Sequence, residues 1–479
     1  MIDALPAEGV PPDQILAELR ELRANDLPTH GGRLFAYVYD PALAGLDQLA
    51  LAAHGLSAHV NGLDPTAFPS LLATENALVG AAAKLLGGDS ATVGSVTGGG
   101  TESLILAVKA ARDARPDITN PRLVVPATAH AAFAKAAHYL RVALDVVPVR
   151  ADLRADPLAM AAATGRDTVL VAASAPSYAH GVVDPIPDIA AVAEAKNVRF
   201  HVDACFGGWL LPYLRRLGAD LPAFDLSVPG VTSISVDLHK YAYAPKGVSV
   251  LLHRDETLRR PQYFAYAGWP GYTMINPGIS STRSGGPIAA ALATLRHIGD
   301  QGYLELARKT REAVGVLAAA VRDTDGVRLF APSETSVVCL ASDGADLFVL
   351  ADELAARGWH TQPQLAYEKM PPTIHLTVTA AVSATAADFA PDLAAAAAAA
   401  RRPVQLPPAL LETAAVLTPE QVTPELVEGL AAGLGLAGGA IGPLAAVNTL
   451  LNAAPPALRE ALLTGFLSLL QRPGPDGVG

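Results

Sequence analysis

Cysteine is nearly absent, with Cys205 and Cys339 the only two among 479 residues. That excludes a scaffold held together by disulfides. Charge is sparse as well: 17% of residues are charged, the net is −11, and no stripe of Lys and Arg runs along the chain. A nucleic-acid partner needs such a stripe, so none is expected. The opening "MIDALPAEGVPPDQ" lacks a basic start followed by an apolar run. No signal peptide is therefore expected, and the cytoplasm is the expected compartment. One long uncharged stretch exists, from Gly429 to Leu458. It is long enough to cross a bilayer, but it is rich in Gly and Ala, is broken by Pro443 and is polar at Asn448 and Thr449. It reads as a buried or subunit-interface helix pair, and no membrane association is expected.

What is present is aliphatic: 51% of the chain is hydrophobic, enough for a large core. Residues 12–23 place Ile15, Leu16, Leu19 and Leu22 on one face of a helix. From about residue 72, helical patterns alternate with short apolar runs: "RLVVPAT", "TVLVAASAP", "RFHVDACF", "SISVDLHK" and "GVSVLLHR". Apolar runs between helices are strands buried on both faces, hence an α/β fold with a mostly parallel sheet. A long helical stretch follows Pro287, and "SVVCLAS", "GWHTQPQ" and "TIHLTVT" then suggest strands of a smaller α+β unit. The expected organisation is an N-terminal helix and loop segment (1–70), a large domain (71–320) and a small C-terminal domain (321–403). An apolar helical extension (404–470) and a disordered tail (471–479) complete it. The alanine run 394–400 reads as a structural helix.

Four stretches carry chemistry. In "SVTGGGTES" (95–103) a strand ends, three glycines follow and a helix opens at Thr101. Glycine lets backbone N–H groups approach an anion, and the helix N-terminus adds its dipole, so this is either a phosphate cradle or an ordinary turn. It is not a Walker loop, because no Gly-Lys-Ser/Thr follows. Asp203, in "FHVDAC", ends an apolar strand, where α/β sheets place ligands; it either meets a cation there or caps the next turn. In "DLHK" (237–240), Lys240 is a solvated loop cation or a desolvated amine of lowered pKa, nucleophilic and able to form a Schiff base. His130, in "PATAHAAF", caps a helix or offers its flat face to an aromatic ligand.

The chain order of Gly-rich loop, His, Asp and Lys resembles fold-type-I pyridoxal-phosphate enzymes. The motifs "TGGGTESLILAVKAARD", "PATAHAAFAKAA", "HVDACFGGWLLP", "SISVDLHKYAYAPKG" and "GWPG…ISSTRSGG" resemble the group II decarboxylase family, and within it the sphingosine-1-phosphate lyases. The resemblance implies pyridoxal 5′-phosphate as cofactor, carried on Lys240, with Asp203 at its pyridine nitrogen and His130 over its ring. It implies that Gly100, Thr101 and His239 bind the cofactor phosphate. It also implies a homodimer with shared active sites, in which the segment from Arg283 through Gly285 and Gly286 reaches the neighbouring phosphate. Lys246 matches a lysine that binds substrate phosphate, Tyr39 an active-site tyrosine, and Asn61 the asparagine of the family's "NPLH" motif.

Three positions depart from the pattern. Asp64 stands where the lyases have His, Leu238 where they have Thr, and Met274 where they have Tyr, with Tyr272 two places earlier. At roughly 4 Å and an effective dielectric near 20, an Asp64 carboxylate beside a phosphate costs on the order of 4 kcal/mol. That would weaken a phosphorylated substrate by up to about three orders of magnitude. Two activities follow. One is a carbon–carbon lyase cleaving a phosphorylated amino alcohol by retro-aldol chemistry, with Tyr39 or Lys246 as base. The other is an amino-acid α-decarboxylase, with Tyr272 or Tyr266 as loop acid. An aminotransferase is disfavoured, since no arginine lies between Arg357 and Arg401 to clamp an α-carboxylate. A catalytically dead scaffold is disfavoured because Lys240 and Asp203 are both present.

Overall fold

The computed structural model describes residues 5–404, 406, 417–433 and 443–471. Seven strands form the large sheet: β1 (Val93–Thr97), β2 (Arg122–Pro126), β3 (Ala143–Val147), β4 (Thr168–Ser174), β5 (Arg199–Asp203), β6 (Ser233–Asp237) and β7 (Ser249–His253). Their order is β1-β7-β6-β5-β4-β2-β3. The pairings from β3 through β6 are parallel, as the apolar runs imply, and β4, β6 and β7 are buried along their whole length. Only β7 runs against its neighbours, β1 and β6. The physical cause is the connection. A parallel return needs a crossover helix, and the short 238–248 turn has none, so the chain folds straight back. Lys240 sits on that turn.

The helices of the large domain and its approaches are α1 (Pro12–Leu22), α2 (Leu46–Ser57), α3 (Pro69–Leu85), α4 (Gly100–Asp113), α5 (Ala132–Leu140), α6 (Pro157–Ala163), α7 (Ile186–Ala195), α8 (Leu211–Arg216), α9 (Glu256–Arg259) and α10 (Gly286–Arg322). Alternation along β2 sorts the two layers. Leu123 and Val125 pack with Leu104 of α4 and Phe133 of α5, while Val124 faces the opposite core with Ile189 of α7. The helical stretch after Pro287 is not one continuous helix. Its backbone leaves helical geometry at Gly299 (φ 65°, ψ 172°), a conformation glycine adopts without strain.

A hairpin of β8 (Phe264–Tyr266) and β9 (Met274–Asn276) precedes α10. Beyond α10, β10 (Val327–Leu329), β11 (Val337–Ser342), β12 (Gln362–Gln364) and β13 (Thr373–Thr377) make an antiparallel sheet in the order β10-β11-β13-β12. Helices α11 (Leu347–Ala356) and α12 (Ala386–Ala399) cover it, α12 containing most of the alanine run. The N-terminal segment does not stand apart from this small unit. Phe35 donates its N–H to the His360 carbonyl, accepts from Thr377 N, and packs its ring on Trp359 and Phe389.

The apolar stretch Gly429–Leu458 contributes to three separate helices, the end of α13 (Pro424–Gly433), all of α14 (Ala445–Ala453) and the start of α15 (Pro456–Leu470). Residues 434–442 lie outside the described residues, as does the tail beyond Gln471. Among the described residues no helix is long and apolar enough to cross a membrane. The extension docks on the small unit. The N-terminus of α14 is capped by Asp352, which accepts from Leu444 N (2.9 Å) and Ala445 N (2.7 Å). Arg459 of α15 donates to the Ala366 carbonyl.

Two buried hydroxyls hold the lysine turn in place. Tyr241 donates to the Val378 carbonyl (2.8 Å) and Tyr303 to the Ala242 carbonyl (2.8 Å), tying the turn to the small unit and to α10. Removing one leaves a buried carbonyl unpaired. Tyr241→Phe is therefore expected to lower unfolding stability by about 1–3 kcal/mol in urea titration. An unchanged midpoint and slope would remove this anchor from the account.

Candidate active site

The strand ends of the sheet open into a cavity of about 650 Å³, and the Gly98–Gly100 turn forms part of its wall. Here β1 passes directly into α4, whose first-turn N–H groups have no helical acceptors. Glycine at 100 is required by close approach: a Cβ there would lie 2.9 Å from both Asp237 carboxylate oxygens and from Cys205 Sγ. The turn is fastened from outside by Glu102, which accepts from Gly98 N (2.6 Å) and from Ile279 N (2.8 Å). Thr101 lines the cavity beside it. A rigid, N–H-rich turn at a helix N-terminus is what a phosphate monoester needs.

Asp203 ends β5 as its sequence context implies, buried, lining the cavity, with Oδ1 accepting from Cys205 N (3.0 Å). Lys240 faces the same space, and its amine is not the lowered one that desolvation alone implies. Burial is the largest single influence and pushes it down, but the surrounding acidic groups, led by Asp237 with Oδ2 2.9 Å from Nζ, together outweigh burial and hold the amine above the ordinary lysine range. Asp237 is itself 2% exposed. Burial would raise its carboxyl, yet Lys240 and His239 together hold it below its ordinary value. His239 takes Val248 N–H on Nδ1 (3.3 Å), so the neutral ring carries its proton on Nε2, 3.5 Å from Asp237. Burial lowers His239 and Asp237 only partly restores it.

His130 lines the cavity and caps a helix, the first of its two readings. Its Nδ1 accepts from Ala132 N (3.1 Å) at the start of α5, and its ring stands edge-on to Tyr178. Tyr178, also in the wall, stacks on the buried His375 of β13 at 4.5 Å, joining the small unit to the site.

Tyr39 and Lys246 stand beside this cavity, behind Phe206, rather than among its lining residues. The Tyr39 ring packs edge-on against Phe206 and Tyr241, and the Lys246 amine lies 5.2 Å over it. Lys246 also donates to the Tyr37 carbonyl (2.6 Å). Burial raises the Tyr39 phenol well above its usual value, whereas burial and then the nearby Lys240 lower the Lys246 amine.

The remaining sequence candidates are not brought to the cavity of their own chain. Asp64 is exposed and spent on its own turn: Oδ1 accepts from Thr66 N, Thr66 Oγ1 and Ala67 N. The expected repulsion of a substrate phosphate therefore has no basis within the chain. Asn61 caps Leu63 N and pairs with the 283–284 backbone. Arg283 is held by Glu75 at 2.6 Å and by the Val96 carbonyl. Gly285 and Gly286 pack under α2, where a Cβ on Gly286 would lie 2.6 Å from His54. Tyr266 and Tyr272 are half-exposed, at 52% and 51%, in and beside the β8–β9 hairpin.

Sequence reasoning passed over Asp237, Glu102 and Tyr178. Asp237 had a signal: a carboxylate closing the apolar run "SISVD" needs a cation as much as Asp203 does. The other two had none, because their roles arise from contacts with residues far along the chain. Together the glycine turn, the buried carboxylate at a strand end, the imidazole and the lysine amine around one cavity fit pyridoxal phosphate.

A family model described as the pyridoxal-dependent decarboxylase conserved domain matches residues 3–342, and one described as a C-terminal HTH domain of pyridoxal-dependent enzymes matches 408–469. The sphingosine-1-phosphate lyase of Dictyostelium discoideum is 37% identical over 397 residues, 81% of this chain and 73% of that protein. Sphingosine-1-phosphate lyase 1 of Rattus norvegicus is 37% identical over 383 residues, 79% of this chain and 66% of that protein. The chain thus spans about two thirds to three quarters of the length of these relatives. The solved sphingosine-1-phosphate lyase of Burkholderia pseudomallei superposes with a TM-score of 0.79 at 36% identity, covering 84% of this chain and 94% of that one. A Lactobacillus brevis glutamate decarboxylase, at 21% identity and a TM-score of 0.73, shares the fold. Fold, cavity and relatives converge, and the chain belongs to the pyridoxal-dependent decarboxylase family, a lyase whose cofactor is pyridoxal 5′-phosphate.

Proposed function

We propose that this enzyme cleaves the carbon–carbon bond of a phosphorylated amino alcohol of the sphingosine-1-phosphate kind, giving an aldehyde and phosphoethanolamine. The observation that carries the reading is the Lys246–Tyr39 pair beside the Lys240 cavity. Retro-aldol cleavage removes the β-hydroxyl proton as the Cα–Cβ bond breaks, so it needs a proton acceptor within hydrogen-bond reach of that hydroxyl. Tyr39, held protonated by burial, is a hydrogen-bond donor and not that base. We assign Lys246 Nζ as that acceptor, because burial and the nearby Lys240 charge ease the loss of its own proton. Bound pyridoxal phosphate supplies the sink for the electron pair left at Cα. Asp203, Lys240, His130 and the 98–101 turn hold and orient that group, with His239 beside the turn.

The decarboxylase reading has less support. Its loop acids, Tyr266 and Tyr272, stand apart from the cavity of their own chain. Asp64, its main argument, stays charged but is exposed on the 64–67 turn and does not line the cavity of its own chain. We read the enzyme as a homodimer. Helix α1 buries none of its residues, and Ile15, Leu16, Leu19 and Leu22 are 42–59% exposed along one face, which a second copy would cover.

Product analysis by mass spectrometry tests the activity. With a phosphorylated sphingoid base, the loaded enzyme is expected to release a long-chain aldehyde and phosphoethanolamine. An amine and carbon dioxide from an amino acid, with no aldehyde from the sphingoid base, would overturn the lyase reading. Lys240→Ala should lose both turnover and the visible absorbance of bound cofactor. Lys246→Gln should keep that absorbance while kcat falls by about 10²–10⁴-fold, the scale of a lost general base. Sedimentation equilibrium should give twice the chain mass of 49.3 kDa; a monomer at all concentrations would contradict the dimer.

A further inference from the structure

Asp237 enters no step of the proposed reaction, yet it is the charged group closest to Lys240. Its Oδ2 is 2.9 Å from Nζ, while Oδ1 is buried and meets no hydrogen-bond donor among the described residues. Both oxygens lie under Gly100, at the base of the phosphate cradle. The pair is enclosed, with the Asp237 side chain 2% and the Lys240 side chain 21% exposed. Water is shut out from the carboxylate side of the pair and meets only the amine, at the cavity, so the attraction is weakly screened.

We propose that Asp237 keeps the Lys240 amine protonated in the cofactor-free chain and so acts as a positioning residue that governs the rate and pH dependence of cofactor capture. Capture joins Nζ to the aldehyde carbon of pyridoxal phosphate. The ammonium first releases one proton. The Nζ lone pair then attacks the carbonyl carbon, and the two remaining amine protons leave with the carbonyl oxygen as water while the carbon–nitrogen double bond forms. Only the neutral amine can begin this sequence. An ion pair to a buried carboxylate therefore slows it.

The other groups facing the pair do not substitute for Asp237. From the end of β5, Asp203 acts on Lys240 in the same direction but is not at bonding distance. Cys205, Tyr39 and Tyr178 are all raised by burial and stay neutral around pH 7. On the same turn, His239 is lowered by burial and Lys246 opposes the Lys240 charge. Gly100 brings no charge from α4. Exchanging Asp237 for Asn removes the one counter-charge in contact and leaves burial to act on Lys240 unopposed at that distance.

The inference rests on pyridoxal phosphate being the cofactor, and the experiment separates the two. Cofactor-free wild type, Asp237→Asn and Asp237→Glu are mixed with pyridoxal 5′-phosphate, and the visible absorbance of capture is followed across neutral and mildly alkaline pH. Each unit by which the amine falls raises its neutral fraction about tenfold. Asp237→Asn should therefore capture at least about tenfold faster at neutral pH, with its rate profile moved to lower pH. Asp237→Glu should keep the wild-type profile. Binding of 4′-deoxypyridoxine 5′-phosphate, which has no aldehyde, should change far less than the capture rate. Equal or slower capture by Asp237→Asn that still binds this analogue overturns the proposal, as does a Glu variant that behaves like Asn. Should Asp237→Asn fail to fold, competitive acetylation of the cofactor-free wild type decides: Lys240 should titrate above free lysine, and a value at or below it overturns the proposal. If no protein takes up pyridoxal phosphate, the cofactor reading fails, and the acetylation result still stands or falls on Asp237.

Discussion

A buried ammonium is costly without a nearby negative charge, and the Asp237–Lys240 pair meets that constraint. Much of the site is arranged around it. The pair sits on the one turn of the large sheet where the chain folds back without a helix, so both residues are fixed by adjacent strands rather than by a long crossover. Helix α4 must come close enough to cover the carboxylate, and only glycine at position 100 permits that approach. The backbone that covers the carboxylate is then the same turn that lines the cavity at a helix N-terminus. Charge pairing and phosphate binding are two consequences of one close contact.

Around this centre, burial sorts protonation states. Tyr39 and Lys246 are neighbours in space and both shielded from water, yet desolvation moves them in opposite directions: the phenol becomes harder to ionise and the ammonium easier to deprotonate. On the proposed reaction, one environment would then supply both a hydrogen-bond donor and a proton acceptor. The large unit carries the lysine turn, while Tyr241, Tyr178 and His375 couple it to the small unit by a hydrogen bond and a ring stack. Relative movement of the two units would be felt directly at the site.

Much of this was legible in the chain. The apolar runs of β2, β4, β5, β6 and β7 stand where the strands are, because strands buried on both faces are mostly aliphatic and admit polar side chains only where these pair, as His201 does with Ser233 and Ser235. The glycine triplet before α4 and the aspartate ending β5 are likewise local signals. The interruption at Gly299 was hidden because a single glycine within a strong helical period does not announce its dihedral angles. Phe35 could not be assigned to the small unit, since its partners His360 and Thr377 lie more than three hundred residues away.

The sequence by itself determined the class of fold, because buried strands and helices follow from residue type and short-range spacing, and its resemblance to pyridoxal-phosphate enzymes pointed to the cofactor and to Lys240. Tertiary structure alone decided which charges meet. Asp64 and Asp237 are both aspartates in suggestive motifs, but one folds onto its own turn in solvent and the other is sealed against Lys240. The strength of an electrostatic interaction depends on distance and on the exclusion of water, and those are properties of the packed chain.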